Sequence, residues 1–324
     1  MSAPMIGTQD ETTVARTRGA LVALRAAYLA ALTLSIATTG VPIASDRMLL
    51  WLVLGLVVFT PTAWGRLGPL ALDWVPIVGL LLLYDLVRGL AAVPAASAHL
   101  WPQLRVDEWL FGGHVPSVWL QHALYHPGHP RWYDFATWAV YVTHFFALWV
   151  TLAVLWRLDH ARFRRLAAMA VSLTVLGFIT YAVFPAVPPW LAGDEGALPH
   201  VSRLVLGMWQ HVGLHFATPL FENGGGFVNL VAAVPSLHAA YPLLLTLAFW
   251  RGTPRWVRAG LVAYTLAMAF ALVYGGEHYV ADVVVGWIYA AAVFAAGAWV
   301  QRAWARRRAR RAEPSRRRPA VHTA

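Results

Sequence analysis

The chain contains no cysteine and no lysine, and only 12% of its 324 residues are charged. Without cysteine there is no disulfide, no thiolate metal site and no cysteine nucleophile. A soluble domain carries about 25% charged residues, so a content this low excludes an ordinary water-soluble enzyme. Every one of the 25 basic residues is arginine, and the formal net charge is +10. Such a balance first suggests a polyanionic partner. Here, however, the arginines fall in short loops and one tail rather than on a folded surface, which points to membrane topology and away from nucleic acid.

What is present is apolar. Hydrophobic residues make up 59% of the chain, with 17 Trp, and the mean hydropathy is +0.56. A helix needs about 20 apolar residues to cross the ~30 Å hydrocarbon core. Runs of that kind occur near 20–40, 48–64, 70–93, 136–157, 165–185, 234–250, 257–274 and 279–300. The alternating ten-residue segments of a closed barrel are absent. The expectation is an all-α, polytopic transmembrane bundle of about eight spans. Residues 1–19 read as a disordered polar N-terminus and 301–324 as a disordered Arg-rich tail. The run at 20–40 reads as a signal anchor, not a cleaved signal peptide.

With both termini cytoplasmic, 20 arginines fall inside, among them Arg157, Arg162, Arg164, Arg165, Arg251, Arg255, Arg258 and nine more from Arg302 to Arg318. Only Arg47, Arg105, Arg131 and Arg203 fall outside, and Arg88 lies within the third span. That bias orients the chain. The tail arginines are expected to touch anionic membrane lipids. Two long outer loops, 94–135 and 186–233, hold eight of the 13 histidines, and Asp107–Gly113 with Val115–His122 suggests a helix lying in the interface. Any chemistry is therefore expected on the extracytoplasmic side.

Two polar sites stand where apolar residues would be cheaper. Val234-Pro235-Ser236-Leu237-His238 opens the sixth span, and Gly275-Gly276-Glu277-His278-Tyr279-Val280-Ala281-Asp282 opens the eighth. His278 and Asp282, four apart, are expected to share a helix face so that the carboxylate orients the imidazole. A carboxylate near membrane depth needs a partner or a function. The topology brings His238 and His278 to one depth on one side. This pattern suits phosphoryl transfer: His278 as nucleophile forming a phosphohistidine, and His238 as acid and base. Ser236, Gly276 and the N–H groups of a helix start would hold phosphoryl oxygens. Arg88 in Tyr84-Asp85-Leu86-Val87-Arg88 is the best-placed cation. Asp107 and Glu108 read as solvated loop charges and His144 as a packing histidine. His122, His126 and His129 have metal-like spacing but are interrupted by Pro127, so no metal or cofactor is expected.

Pro235-Ser236-Leu237-His238 and His278-x-x-x-Asp282 resemble the second and third motifs of the type 2 phosphatidic acid phosphatase superfamily. Phe184-Pro185-Ala186-Val187-Pro188-Pro189-Trp190 is similar to the proline-rich segment of its inositol phosphorylceramide synthase branch, which also has Leu in the second motif. The resemblance, from about Tyr84 to Trp287, implies a six-helix catalytic core within 70–300, preceded by two extra helices at 20–64. It implies His278 as nucleophile, Asp282 as its orienting group and His238 as acid/base, with Pro188, Pro189 and Trp190 near the substrate. The superfamily's Lys-x6-Arg-Pro motif is missing, because the chain has no Lys and Gly89 follows Arg88. Ala271-Leu272 stands where lipid phosphatases have Ser-Arg.

A depleted cationic cradle favours a singly charged phosphodiester over a monoester or pyrophosphate. The expected activity is an inositolphosphotransferase of the bacterial cell envelope. It would move a headgroup phosphate from a phospholipid donor to a lipid or polyol acceptor. A lipid phosphate or polyprenyl pyrophosphate phosphatase, with water as acceptor, shares the same site. A non-catalytic lipid-binding or transport protein is the alternative from another class, although no paired halves with broken helices are visible in the sequence.

Overall fold

The computed structural model describes residues 8–39, 45–60, 68–80, 98–211 and 230–312, and among them every regular element is a helix. In chain order these are α1 (Thr8–Thr39), α2 (Ser45–Phe59), α3 (Gly68–Leu80), α4 (Trp101–Leu110), α5 (Pro116–Leu124) and α6 (Trp132–Leu158). Then follow α7 (His160–Val183), α8 (Pro189–Asp194), α9 (Leu204–His211), α10 (Leu237–Phe249), α11 (Arg255–Tyr274) and α12 (Val280–Ala312). Within α1, α6, α7, α11 and α12 are five helices long and apolar enough to cross a membrane, and α2, α3 and α10 contain shorter apolar ones. The protein is an integral membrane helical bundle.

The helices run past two expected limits. α1 begins at Thr8, well inside the segment expected to be disordered, and α12 continues to Ala312 through the start of the expected disordered tail. The physical reason is local: 301–312 is almost entirely Ala and Arg, both strong helix formers, and contains neither Gly nor Pro. The remainder of the third expected span, which includes Arg88, lies outside the described residues.

α10 packs most extensively on α12 and α11, while α6 crosses α7, α9, α10 and α11. The core runs between them through Leu148, Leu152, Phe163, Ala170, Leu173, Leu244 and Ala290. Buried hydroxyls inside it pair with one another, as in Thr174–Tyr241 and Thr246–Thr265. The outward faces carry exposed Leu72, Val75, Val183 and Ile288, which suit lipid as solvent. Exposed tryptophans form two groups, Trp101, Trp109, Trp119 and Trp132 at one end and Trp250, Trp256, Trp299 and Trp304 at the other. That is the distribution of interfacial belts.

Gly286 on α12 is what lets α10 begin where it does: a Cβ there would overlap the Ser236 carbonyl. Gly286→Leu therefore forces the two helices apart. Thermal unfolding in detergent is expected to show a loss of about 1–3 kcal/mol, the usual range for overpacking. An unchanged melting temperature would contradict the close approach.

Candidate active site

Both polar motifs sit at helix N-termini that meet. Ser236 caps α10, its Oγ accepting from Ala239 N at 3.3 Å, and its own N–H donates to the Asp282 carbonyl at 3.1 Å. This stitch ties the start of α10 to the first turn of α12. Asp282 is fully buried. Its Oδ2 accepts from Tyr279 N at 2.9 Å and lies 3.4 Å from His278 Nδ1. The expected shared helix face is thus replaced by a different arrangement. α12 starts at Val280, so His278 precedes the helix, and Asp282 reaches back from the first turn to hold it. The two residues are together as expected, for a capping reason rather than a helix-periodic one.

His238 lies beside them, with ring centroids 5.6 Å from His278. His238 is itself flanked from α6. Tyr141 stacks at 5.1 Å and 20°, and His144 lies 3.8 Å away at 33°. His144, expected as a packing histidine, thus packs directly on His238 and is part of the histidine cluster. Its Nδ1 is buried with no hydrogen-bond partner among the described residues. A mid-span polar residue is a functional-site signal by default, and that signal was available in the sequence.

Gly276 has φ +76°, and a Cβ there would press on Val201 Cγ1 and the Ser202 carbonyl. Only glycine fits this turn. Its carbonyl accepts from Trp190 N at 3.0 Å, and the Gly275 carbonyl accepts from Leu204 N at 3.2 Å. Pro188 and Pro189 open the short α8 and so deliver Trp190 to the glycine turn. Upstream, Ala186 N donates to the Val231 carbonyl and Val187 N to the His99 carbonyl, which anchors the proline-rich segment just before the α10 motif. Gln121 closes the same loop, donating to the Ser202 and Tyr274 carbonyls and accepting from Ser202 N, each at 2.8 Å.

Two charged residues read from sequence as unremarkable are built into this frame. Arg203 makes a bidentate pair with Glu277, Nε–Oε1 2.8 Å and Nη2–Oε2 3.2 Å, and its guanidinium lies 4.8 Å from the Trp190 ring. Asp107 is a correction: it is fully buried rather than solvated, and its carboxylate accepts from Val280 N at 3.0 Å and Ala281 N at 2.9 Å. Supplied by α4 from another part of the chain, it caps α12 and complements the positive helix end. Burial pushes its carboxyl up to about 6; the two N–H groups oppose that rise and the Asp282 charge adds to it. Glu108 is partly exposed and pairs with Arg105. His122, His126 and His129 are all exposed, and among the described residues no three His, Asp or Glu side chains converge as metal ligands.

These contacts set two expectations. A carboxyl with a raised folded-state pKa holds a proton that the unfolded chain releases, so its contribution favours folding at low pH and is lost as pH rises from about 4 to about 6. The difference in melting temperature between wild type and Asp107→Asn should therefore shift against wild type across that window, as measured by pH-resolved thermal unfolding. Arg203→Gln strands the Glu277 charge and should cost about 3–5 kcal/mol. Adding Glu277→Gln should restore much of the stability. If the double variant is no better than the single one, the pair is not the cause.

The profile of the PAP2 superfamily matches residues 103–296, more than half of the chain. Over 159 residues the chain is 29% identical to the phosphoinositol dihydroceramide synthase of Bacteroides thetaiotaomicron, a match covering 45% of this chain and 51% of that protein. The chain thus spans about half the length of the curated relative it matches. No solved structure matches. The matched region contains the α4 cap, the proline-rich strap and both histidine motifs, and the chain belongs to the PAP2 superfamily.

Proposed function

We propose that the protein transfers an inositol-phosphate headgroup from a phospholipid to an alcohol acceptor through a phosphohistidine. The observation that carries the reading is the His238–His278–Asp282 group, two imidazoles at 5.6 Å with a buried carboxylate on one of them. Asp282 takes Nδ1–H of His278, which leaves the Nε2 lone pair as nucleophile. Nε2 attacks phosphorus, and the bond from phosphorus to the diacylglycerol oxygen breaks as His238 gives that oxygen a proton. In the second half His238 takes the proton of the acceptor hydroxyl. That oxygen then attacks phosphorus, and the N–P bond breaks to free His278. The N–H groups of Leu237 and His238 at the start of α10 have no intrahelical acceptor and suit the phosphoryl oxygens, with Ser236 shaping that turn and Gly276 assigned to the same phosphate site. Pro188, Pro189 and Trp190 form the rim over the glycine turn.

Charge supports a phosphodiester substrate. Arg203 is neutralised by Glu277, the chain has no lysine, and Arg88 is the further cation assigned to the phosphate. A monoester dianion would meet less compensation than a diester monoanion. The name of the Bacteroides relative points the same way. The arginine bias supports a site on the extracytoplasmic face of a bacterial plasma membrane, with both termini cytoplasmic.

Purified protein given labelled phosphatidylinositol and a mixed lipid extract should yield a new inositol phospholipid, identified by mass spectrometry. Free phosphate released from phosphatidate alone would overturn the transferase reading and leave a phosphatase. His278→Ala should abolish turnover. His238→Ala should lower it by about 10²–10⁴-fold, the usual contribution of a proton-transfer group.

A further inference from the structure

At the end of the bundle opposite the histidines, a groove of about 690 Å³ opens between α10 and α12. Both helices start at the active site and lead away from it. By the 1.5 Å rise, the 13 residues of α10 span about 20 Å, so the groove is remote from the chemistry. Its wall is apolar, made by Leu247, Ala248, Phe294, Ala298 and Ala305. Its mouth is polar and positive, carrying Arg251, Gln301 and Arg302. Both arginines are exposed.

Among the described residues, the acids at this end are already committed. Asp73 of α3 is held by His160, Arg164 and the Trp156 indole, and Asp159 by Arg162. The Gly252 turn, which follows Arg251, comes up to Arg162, so these pairs are neighbours of the groove. Arg258 stacks on the Trp250 ring at its edge. Arg302 Nε donates to the Ala298 carbonyl, which anchors the stem and leaves the rest of the guanidinium outward. Among the described residues neither Arg251 nor Arg302 has a carboxylate partner. The groove therefore combines an unneutralised pair of guanidinium groups with an apolar slot of the size that takes a small ligand. A free anion matches only the first half of that description.

We propose that this groove is a binding site for one anionic phospholipid, its phosphate on Arg251 and Arg302 and an acyl chain along Phe294 and Ala298. Guanidinium recognises phosphate by paired N–H donors, and the interfacial position supplies the lipid with no further path. The occupant is not the substrate: the site is remote from His238 and His278 and touches none of the residues assigned to transfer. It acts as a clamp on the pairing of α10 with α12, the pair that carries the two histidine motifs.

The test uses the detergent-solubilised full-length protein, titrated with phosphatidylglycerol or phosphatidylcholine in mixed micelles. A ligand that binds only the folded state raises the melting temperature in proportion to ln(1 + [L]/Kd). Phosphatidylglycerol should raise it and phosphatidylcholine should not. Arg251→Ala/Arg302→Ala should lose most of the shift. Arg306→Ala/Arg307→Ala/Arg308→Ala, which removes tail charge outside the groove, should retain it. Loss in the tail variant with retention in the groove variant would overturn the site. So would an equal shift from inorganic phosphate, which would mark a free-anion site, or from phosphatidylcholine, which would mark a charge-blind surface. Neither set of arginines belongs to the transfer machinery, so basal turnover serves as the folding control.

Discussion

The hydrogen bond from Ser236 N–H to the Asp282 carbonyl is the junction on which the site depends. It joins two helix N-termini at the first turn of each, so His238 on one and His278 before the other must come together. Gly286 makes the approach sterically possible, because any side chain there would occupy the space of the Ser236 carbonyl. The positive ends of two helices in one place would repel each other and attract anions. The protein handles the first effect with buried carboxylates, Asp282 and Asp107, both on the N-terminus of α12. The second effect is what a phosphoryl-transfer site needs.

Around that junction the long loops act as straps. The α8 segment is pinned to the Gly276 carbonyl through Trp190, and the 198–204 loop is held by Gln121, by Leu204 N and by the Arg203–Glu277 pair. Two of these contacts, from Trp190 N and Leu204 N, end on carbonyls of the glycine turn itself. A chain with so little charge has spent several of its acids here, and each has a defined donor. The opposite end follows another logic, with arginine in excess and acids few, and with the neutralising charge expected from the membrane itself.

Five of the expected spans were legible as apolar runs of helix length, and the paired histidine motifs and the glycine turn because each interrupts that apolar background at a fixed spacing. Arg203 and Asp107 were not. Each gains its meaning from a partner far along the chain, Glu277 for one and the Val280 and Ala281 amides for the other. His144 carried a visible signal, a polar residue inside a span, but its neighbour His238 is 94 positions away and on another helix. α1 and α12 extend past their apolar runs into polar sequence, because polarity alone does not end a helix that lacks a breaking residue.

Sequence alone determined that this protein is an integral membrane helical bundle and which two polar motifs interrupt its apolar runs, since hydropathy, helix length and local spacing are properties of short segments. Only the tertiary structure decided how Asp282 holds His278, that Asp107 closes the start of α12, and that Arg203 enters the site already paired. Those are contacts between distant segments, and their geometry is set by helix packing that no local pattern encodes.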